Sequence, residues 1–370
     1  MSARLYALSF IVSLVSVAAL PLVSVFADEL GASPLELGLI GGVGSLVYAL
    51  SAPVAGLLLN RVKWSSAVLA SIGGMGLALV ACLAVNAPLH LVALNSIFMV
   101  SMAVFWPAVE AAIASPSEGG DFSKFSVSWS LGAIIGAGLA ALLLASPKRP
   151  AIATLGLAML SSSALPLGLR VRVESSAPAR PYAMIFEALT SAPAAWATAF
   201  TYAAVQGVIF IFYPVYARDF GLGESAAGLA LVTLTLLRTA TFPLAGSIKA
   251  PAPVLGAAGL ACLALGALAL PVAPSAPWVV AASLLAGVGT GLSYYAAIVE
   301  ALSEGGDKGT RAGLFESAIG FGYSAGPLIA GYAAEARFEY AFYSAVALCL
   351  ATLSPLSYRA LRLLGRRRPR

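Results

Sequence analysis

Histidine is almost missing from this chain: of 370 residues only His90 is one. Imidazole-based metal binding or acid–base chemistry therefore has almost nothing to work with. The three cysteines, Cys82, Cys262 and Cys349, stand in apolar runs and form no Cys-x-x-Cys. They read as small core residues, not as disulfide partners or metal ligands. No metal or cofactor is expected. Charge is scarce as well, at 10% of residues, against about a quarter in a soluble domain. That excludes a soluble globular enzyme and a disordered chain. No P-loop pattern occurs, so direct drive by ATP is not expected. The glycine run Gly287-Val-Gly-Thr-Gly291 lacks the preceding strand that a dinucleotide site needs.

What the chain has is apolar length. Hydrophobic residues make up 60%, and the mean hydropathy is +0.93. A membrane span needs about 20 apolar residues. Twelve runs qualify, at about 6–26, 36–58, 66–86, 88–111, 126–146, 150–169, 193–216, 225–247, 252–273, 277–301, 311–334 and 338–358. The formal charge of +5 is then not a nucleic-acid signal but a matter of topology. With the N-terminus inside, sixteen Lys and Arg fall in cytoplasmic segments, six of them in the tail from Arg359 to Arg370. Lys148, Arg149, Arg218 and Arg337 fall outside, and Arg238 falls within a span. The positive-inside bias places both termini in the cytoplasm. The Arg-rich tail is suited to anionic headgroups of the lipid bilayer.

The chain also repeats itself at an offset of 190. Gly31-Ala-Ser-Pro-Leu-Glu-Leu-Gly38 corresponds to Gly221-Leu-Gly-Glu-Ser-Ala-Ala-Gly228. Pro53-Val-Ala-Gly56 corresponds to Pro243-Leu-Ala-Gly246, and Val109-Glu110-Ala111 to Val299-Glu300-Ala301. Gly132 and Gly136 correspond to Gly322 and Gly326. The Pro-x-x-Gly pair and the acidic pair carry the argument, because those residue types are rare here. Matching segments lie six spans apart, so both halves have the same orientation. The expected fold is an all-α polytopic membrane protein of twelve transmembrane helices in two parallel six-helix repeats. The expected organisation is an N-terminal half 1–170, a cytoplasmic linker 171–190, a C-terminal half 191–358 and a basic cytoplasmic tail 359–370.

Over essentially its full length the chain resembles the major facilitator superfamily. Where that family carries Gly-x-x-x-Asp-Arg-x-Gly-Arg-Arg after the second span, this chain has Gly56-Leu-Leu-Leu-Asn60-Arg61-Val-Lys63-Trp-Ser. Gly56 and Arg61 match, Asn60 replaces the acid, and Lys63 replaces the second glycine. Phe105-Trp106-Pro107-Ala-Val-Glu110 and Ser128-Trp129-Ser130-Leu-Gly132-Ala-Ile-Ile-Gly136 are similar to the family's short prokaryotic members. Ala137 stands where the antiporter version of the fifth span has proline. The resemblance implies the major facilitator fold, a plasma-membrane location and secondary active transport by alternating access. It also implies a central cavity lined by the first, fourth, seventh and tenth spans. On the resemblance alone, export is favoured over import and a monomer is expected.

Candidate site residues follow from the cost of polar groups in a bilayer. Arg238 is the only charge near the middle of an expected span, with no acid expected at its depth and Tyr48 as its repeat counterpart. An ionised guanidinium there suits an anionic ligand. Asn95, Trp106, Trp129, Tyr202, Gln206, Tyr294 and Tyr295 complete the candidate substrate set, a mixture of aromatic and amide groups fit for a small organic molecule. Arg61, Lys63, Glu110, Lys249, Glu300, Arg311 and Glu316 read as ion-pair gates at the cytoplasmic ends of their spans. A proton-carrying role for these carboxylates, with H+ as coupling ion, is the competing reading.

Two other function classes compete. A phospholipid or lysophospholipid flippase on the same fold would use Arg238 for a phosphate. An intramembrane enzyme would rest on Gly322-Tyr-Ser324-Ala-Gly326, but that nucleophile-elbow pattern needs a strand–turn–helix and here lies in an apolar helix. The leading expectation is a carrier and not an enzyme. Fluorescent protein fused after Arg370 should fold and fluoresce, and a periplasm-dependent reporter at the same place should stay silent. The reverse pattern would overturn the assigned orientation.

Overall fold

The computed structural model describes residues 2–58, 62–114, 122–167, 169, 186, 187, 189–303 and 308–365. Long helices account for most of them, and no strand occurs among the described residues. Water is absent from a bilayer core, so a spanning segment must satisfy its own backbone groups, and the α-helix does so. Among the described residues twelve long helices follow in order: α1 Ser2–Glu29, α2 Pro34–Leu58, α3 Trp64–Val80, α4 Pro88–Ala114, α5 Phe122–Leu143, α6 Lys148–Ser161, α7 Pro193–Asp219, α8 Gly223–Ser247, α9 Ala252–Ala269, α10 Ala276–Ser303, α11 Lys308–Ala334 and α12 Tyr340–Gly365. Ten are long and apolar enough to cross a membrane. The other two fall short for visible reasons. The helix α6 has 14 residues before tightening into the 3-10 turn Ser162–Ala164. The helix α11 is diluted by glycine, serine and the charges Lys308, Arg311 and Glu316.

The chain forms two compact units, residues 1–177 and 178–370. The expected linker 171–190 falls mostly outside the described residues, as does Arg61. Within the first unit α1 packs on α5 and α6, α2 on α4, and α3 on α4 and α6. Within the second, α7 packs on α11 and α12, α8 on α10, and α9 on α10 and α12. Each pairing in one unit has its counterpart six helices later.

The repetition extends to single turns. After α1 the chain reverses at Gly31, whose φ of +83° suits glycine and strains other residues. Ala32 N–H donates to Ala27 O at 3.0 Å, closing the helix end as a Schellman-type turn. After α7 the same turn recurs at Gly221, with φ +82°, and Leu222 N–H donates to Ala217 O at 3.0 Å. The entry to α2 adds a capping box. Ser33 N–H donates to Glu36 Oε2 at 2.9 Å, and Glu36 N–H donates to Ser33 Oγ at 3.3 Å.

Two helix pairs meet backbone to backbone. A Cβ placed on Gly132 would fall 3.1 Å from Phe10 Cα, and one on Gly136 would fall 3.0 Å from Leu14 Cα. In the second unit a Cβ on Gly322 would fall 3.0 Å from the Phe200 carbonyl carbon, and one on Gly326 would fall 2.6 Å from Ala204 Cα. Small residues permit this approach, and dispersion between backbones rewards it where lipid competes equally for apolar side chains. Polar clips add to the packing. Asn95 Nδ2–H donates to Ile40 O at 2.6 Å across α4 and α2, where Gly44 leaves room for the amide. The hydroxyls of Thr201 and Thr352 lie 2.7 Å apart across α7 and α12. At one end of the first unit, buried Lys148 lies 3.4 Å from Glu29, which ties α6 to α1.

Gly326→Val should force α7 and α11 apart and cost about 1–3 kcal/mol, seen as a lower Tm in detergent. Gly138→Ala, where a Cβ meets nothing within 4 Å, should not. Asn95→Ala should lower stability by about 0.6–2 kcal/mol through the lost interhelical bond, measured by the same thermal unfolding.

Candidate functional site

The second unit gathers polar side chains that sequence spacing alone does not unite. The helix α7 carries Tyr202 and Gln206 one turn apart, hence on one face. Both are buried. The helix α8 carries Arg238, and its approach to α10 depends on glycine. A Cβ on Gly291 would fall 2.7 Å from the Arg238 carbonyl oxygen, and one on Gly287 would fall 2.8 Å from Leu237 Cβ. Tyr294 follows Gly291 by three residues on α10, so the same contact brings it beside α8. The helix α11 leans on α7 at Gly207, where a Cβ would meet Tyr323 Cδ1 at 3.1 Å and Pro327 Cγ at 3.2 Å.

Tyr294 is the centre of a ring cluster. Its centroid lies 5.9 Å from Tyr202 with the rings at 74°, 5.0 Å from Phe242, and 5.4 Å from Phe315 at 74°. The near-perpendicular pairs set ring edges against ring faces, the favoured quadrupole arrangement. Four helices, α7, α8, α10 and α11, each contribute one ring.

Two opposite charges border this cluster. Arg238 stands one turn before Phe242 on α8, and Glu316 directly follows Phe315 on α11 and shares a helical face with Tyr323. They do not form an ion pair with each other among the described residues. The Nε of Arg238 is buried and has no hydrogen-bond partner there, and the same holds for Oε1 of Gln206. An orphaned donor and an orphaned acceptor thus lie around one aromatic group. Glu316 is exposed as a residue.

The sequence places Glu316 among the gates, one turn into its span. In the structure α11 begins at Lys308, so Glu316 stands eight residues in. At 1.5 Å per residue that is about 12 Å along the axis from the helix start. The acid next to the ring cluster is thus Glu316, which directly follows Phe315. Tyr323, Phe242 and Phe315 were also missed. Tyr323 is seven residues beyond Glu316, a spacing that puts both on one helical face and that would have signalled it.

The remaining candidates are dispersed. Tyr295 approaches α8 at Gly246, where a Cβ would lie 3.5 Å from its hydroxyl. In the first unit, Trp106 packs edge-on to Phe105 at 5.3 Å and to Phe125 at 6.2 Å. Tyr48 and Trp129 are half-buried. Asn95 spends its amide N–H on Ile40, as described above. Of the gate residues, Lys63, Glu110 and Lys249 are exposed, and Glu300 is buried. Arg311 is 2% exposed and works as a staple. Its Nη1–H donates to Ala301 O at 3.1 Å and its Nη2–H to Ser191 Oγ at 2.7 Å, joining the start of α11 to the end of α10 and to the segment before α7.

The repeat makes the site one-sided. At the 190-residue offset, Tyr202, Gln206, Arg238, Phe242, Tyr294, Glu316 and Tyr323 correspond to Val12, Ser16, Tyr48, Ala52, Val104, Ser126 and Ala133. The first unit carries no charge at the matching positions.

Solved structures share this fold. A point mutant of the nucleoside transporter NupG superposes with a TM-score of 0.81 at 12% identity, covering 96% of this chain and 99% of that one. A bacterial homolog of the human lysosomal transporter Spinster, inward-facing and occupied, gives 0.78 at 13% identity, with 97% and 96% covered. A second structure of NupG gives 0.76 at 13% identity, with 100% and 99% covered. No curated protein matches the chain. The Major Facilitator Superfamily profile matches residues 5–295 and 194–370, which together span nearly the whole sequence. The chain is a multi-pass membrane protein and belongs to the major facilitator superfamily of transporters.

Proposed function

We propose that the protein is a secondary active transporter that moves a small organic molecule through the membrane by alternating access of its two six-helix halves. The observation that carries this reading is Arg238. A guanidinium within a membrane-spanning helix is costly, and its Nε is buried without a partner beside an aromatic cluster. A substrate carrying an anionic group would supply the missing acceptor, and the rings of Tyr202, Phe242, Tyr294 and Phe315 would cover its apolar part. Export across the plasma membrane is the favoured direction, and an ion gradient, with H+ as first candidate, is the favoured energy source. The gate residues at the helix ends would hold one side closed while the other opens.

The test is a thermal-shift screen of the detergent-purified protein against metabolites and drugs, with Arg238→Ala in parallel. A ligand at 100 times its Kd stabilises the native state by about 2.7 kcal/mol. Anionic organic compounds should raise the Tm of the native protein and leave Arg238→Ala unmoved. Equal stabilisation of both proteins would remove Arg238 from the site. A response confined to lysophospholipids and sensitive to headgroup charge would replace the small-molecule reading by lipid flipping.

A further inference from the structure

The arrangement of charge in the second unit says more about the cargo than a lone Arg238 does. Arg238 stands one turn before Phe242 on α8 and Glu316 directly follows Phe315 on α11, two rings packed on Tyr294, yet the two charges form no ion pair with each other among the described residues. Opposite charges in a low-dielectric bundle attract strongly, and the usual outcome is a contact pair. Each long side chain here instead keeps its polar end available. Arg238 has a buried, unpaired Nε, so the Nε–Nη edge of its fork can face a carboxylate in bidentate fashion. Glu316 is exposed as a residue and has no ion pair among the described residues. Between their helices lie Tyr294 and the rings packed around it, a flat apolar surface.

We propose that this half reads a dipolar organic molecule, with Arg238 holding its anionic group, Glu316 its cationic group, and the Tyr202–Phe242–Tyr294–Phe315 cluster its flat apolar body. The unpaired Oε1 of Gln206, one turn from Tyr202, is a second acceptor for the cationic end. The repeat supports a single reading site of this kind. The matching positions Tyr48 and Ser126 carry no charge, so the first half offers no second pair of charge contacts. Two charges facing two opposite charges also keep the loaded site near electrical neutrality, which a bilayer interior favours. A purely anionic cargo would leave the Glu316 carboxylate opposed by nothing and close to a like charge. This inference rests on the proposed function, since it takes the neighbourhood of Arg238 as the substrate site.

Matched charge triads on one scaffold test it: tryptophan, N-acetyltryptophan and tryptamine, and likewise phenylalanine, N-acetylphenylalanine and phenethylamine. Equilibrium affinities are measured on the full-length purified protein, its Glu316→Gln and Arg238→Gln variants, and the charge-keeping controls Glu316→Asp and Arg238→Lys. At least one zwitterion should bind the native protein about tenfold or more tighter than its anionic and cationic partners, the size expected of one charge-assisted contact. Glu316→Gln should erase the advantage over the anion, and Arg238→Gln the advantage over the cation. The charge-keeping controls should preserve the ranking, which guards against a folding defect.

Anions that bind as tightly as zwitterions, with Glu316→Gln unchanged, would overturn the dipolar reading and leave Arg238 as a simple anion site. Failure of Arg238→Gln to weaken any anion would overturn both readings. Glu316→Gln that keeps all affinities but loses proton-gradient-driven accumulation in proteoliposomes would make Glu316 a proton carrier and overturn the inference. Absence of binding by every triad member would also overturn it.

Discussion

Within a bilayer, hydrophobic burial does little to hold one helix against another, because lipid tails solvate leucine as well as leucine does. Close approach of backbones has to supply the cohesion, and in this protein it does so at a few glycines. Gly132 and Gly136 admit α1 to α5, and Gly322 and Gly326 admit α7 to α11. The same device sets the site. Gly287 and Gly291 draw α8 onto α10, and Gly207 draws α11 onto α7. Arg238, Tyr294 and Tyr323 share one neighbourhood because those helices have no side chain between them at these points. Larger residues there would separate the guanidinium from the rings before altering either.

The two halves share their framework and differ in chemistry. The turns at Gly31 and Gly221 agree within a degree in φ and close with the same hydrogen bond. The main helix pairings correspond. The charged and aromatic residues of the candidate site, however, are nearly all in the second half, and apolar or small residues occupy most of the equivalent places in the first. A framework that satisfies its own backbone can tolerate that divergence, because fold stability resides in small residues and turn geometry. Function then becomes a matter of which side chains one half projects toward the cluster.

Much of the framework was legible because it is written in rare residue types. The Pro53/Pro243 and Glu110/Glu300 matches stand out in a chain of Ala, Leu and Gly and mark the repeat, while Gly132 and Gly322 recur at the same offset at contacts it preserves. Arg238 was legible because a charge amid an apolar run is conspicuous. For Glu316, apolarity marks where a helix becomes hydrophobic, whereas α11 starts earlier, at Lys308, so that Glu316 stands eight residues into the helix. For Asn95 the sequence shows a polar group and not its partner, and the structure adds that partner, the Ile40 carbonyl. Tyr323, Phe242 and Phe315 passed unnoticed, since a single aromatic in an apolar span carries no sign of whether it meets lipid or three other rings.

The glycine seams also have a mechanical meaning. A contact between side chains can be remade by a change of rotamer, so helices joined in that way can slide and relock. A contact between backbones has no rotamers to change. The pairs α1–α5 and α7–α11 therefore act as welded struts, which tilt as units but do not shear. Any cycle of this protein has to find its moving joints elsewhere, at contacts lined by side chains, while four glycines keep the two helices of each strut at one separation.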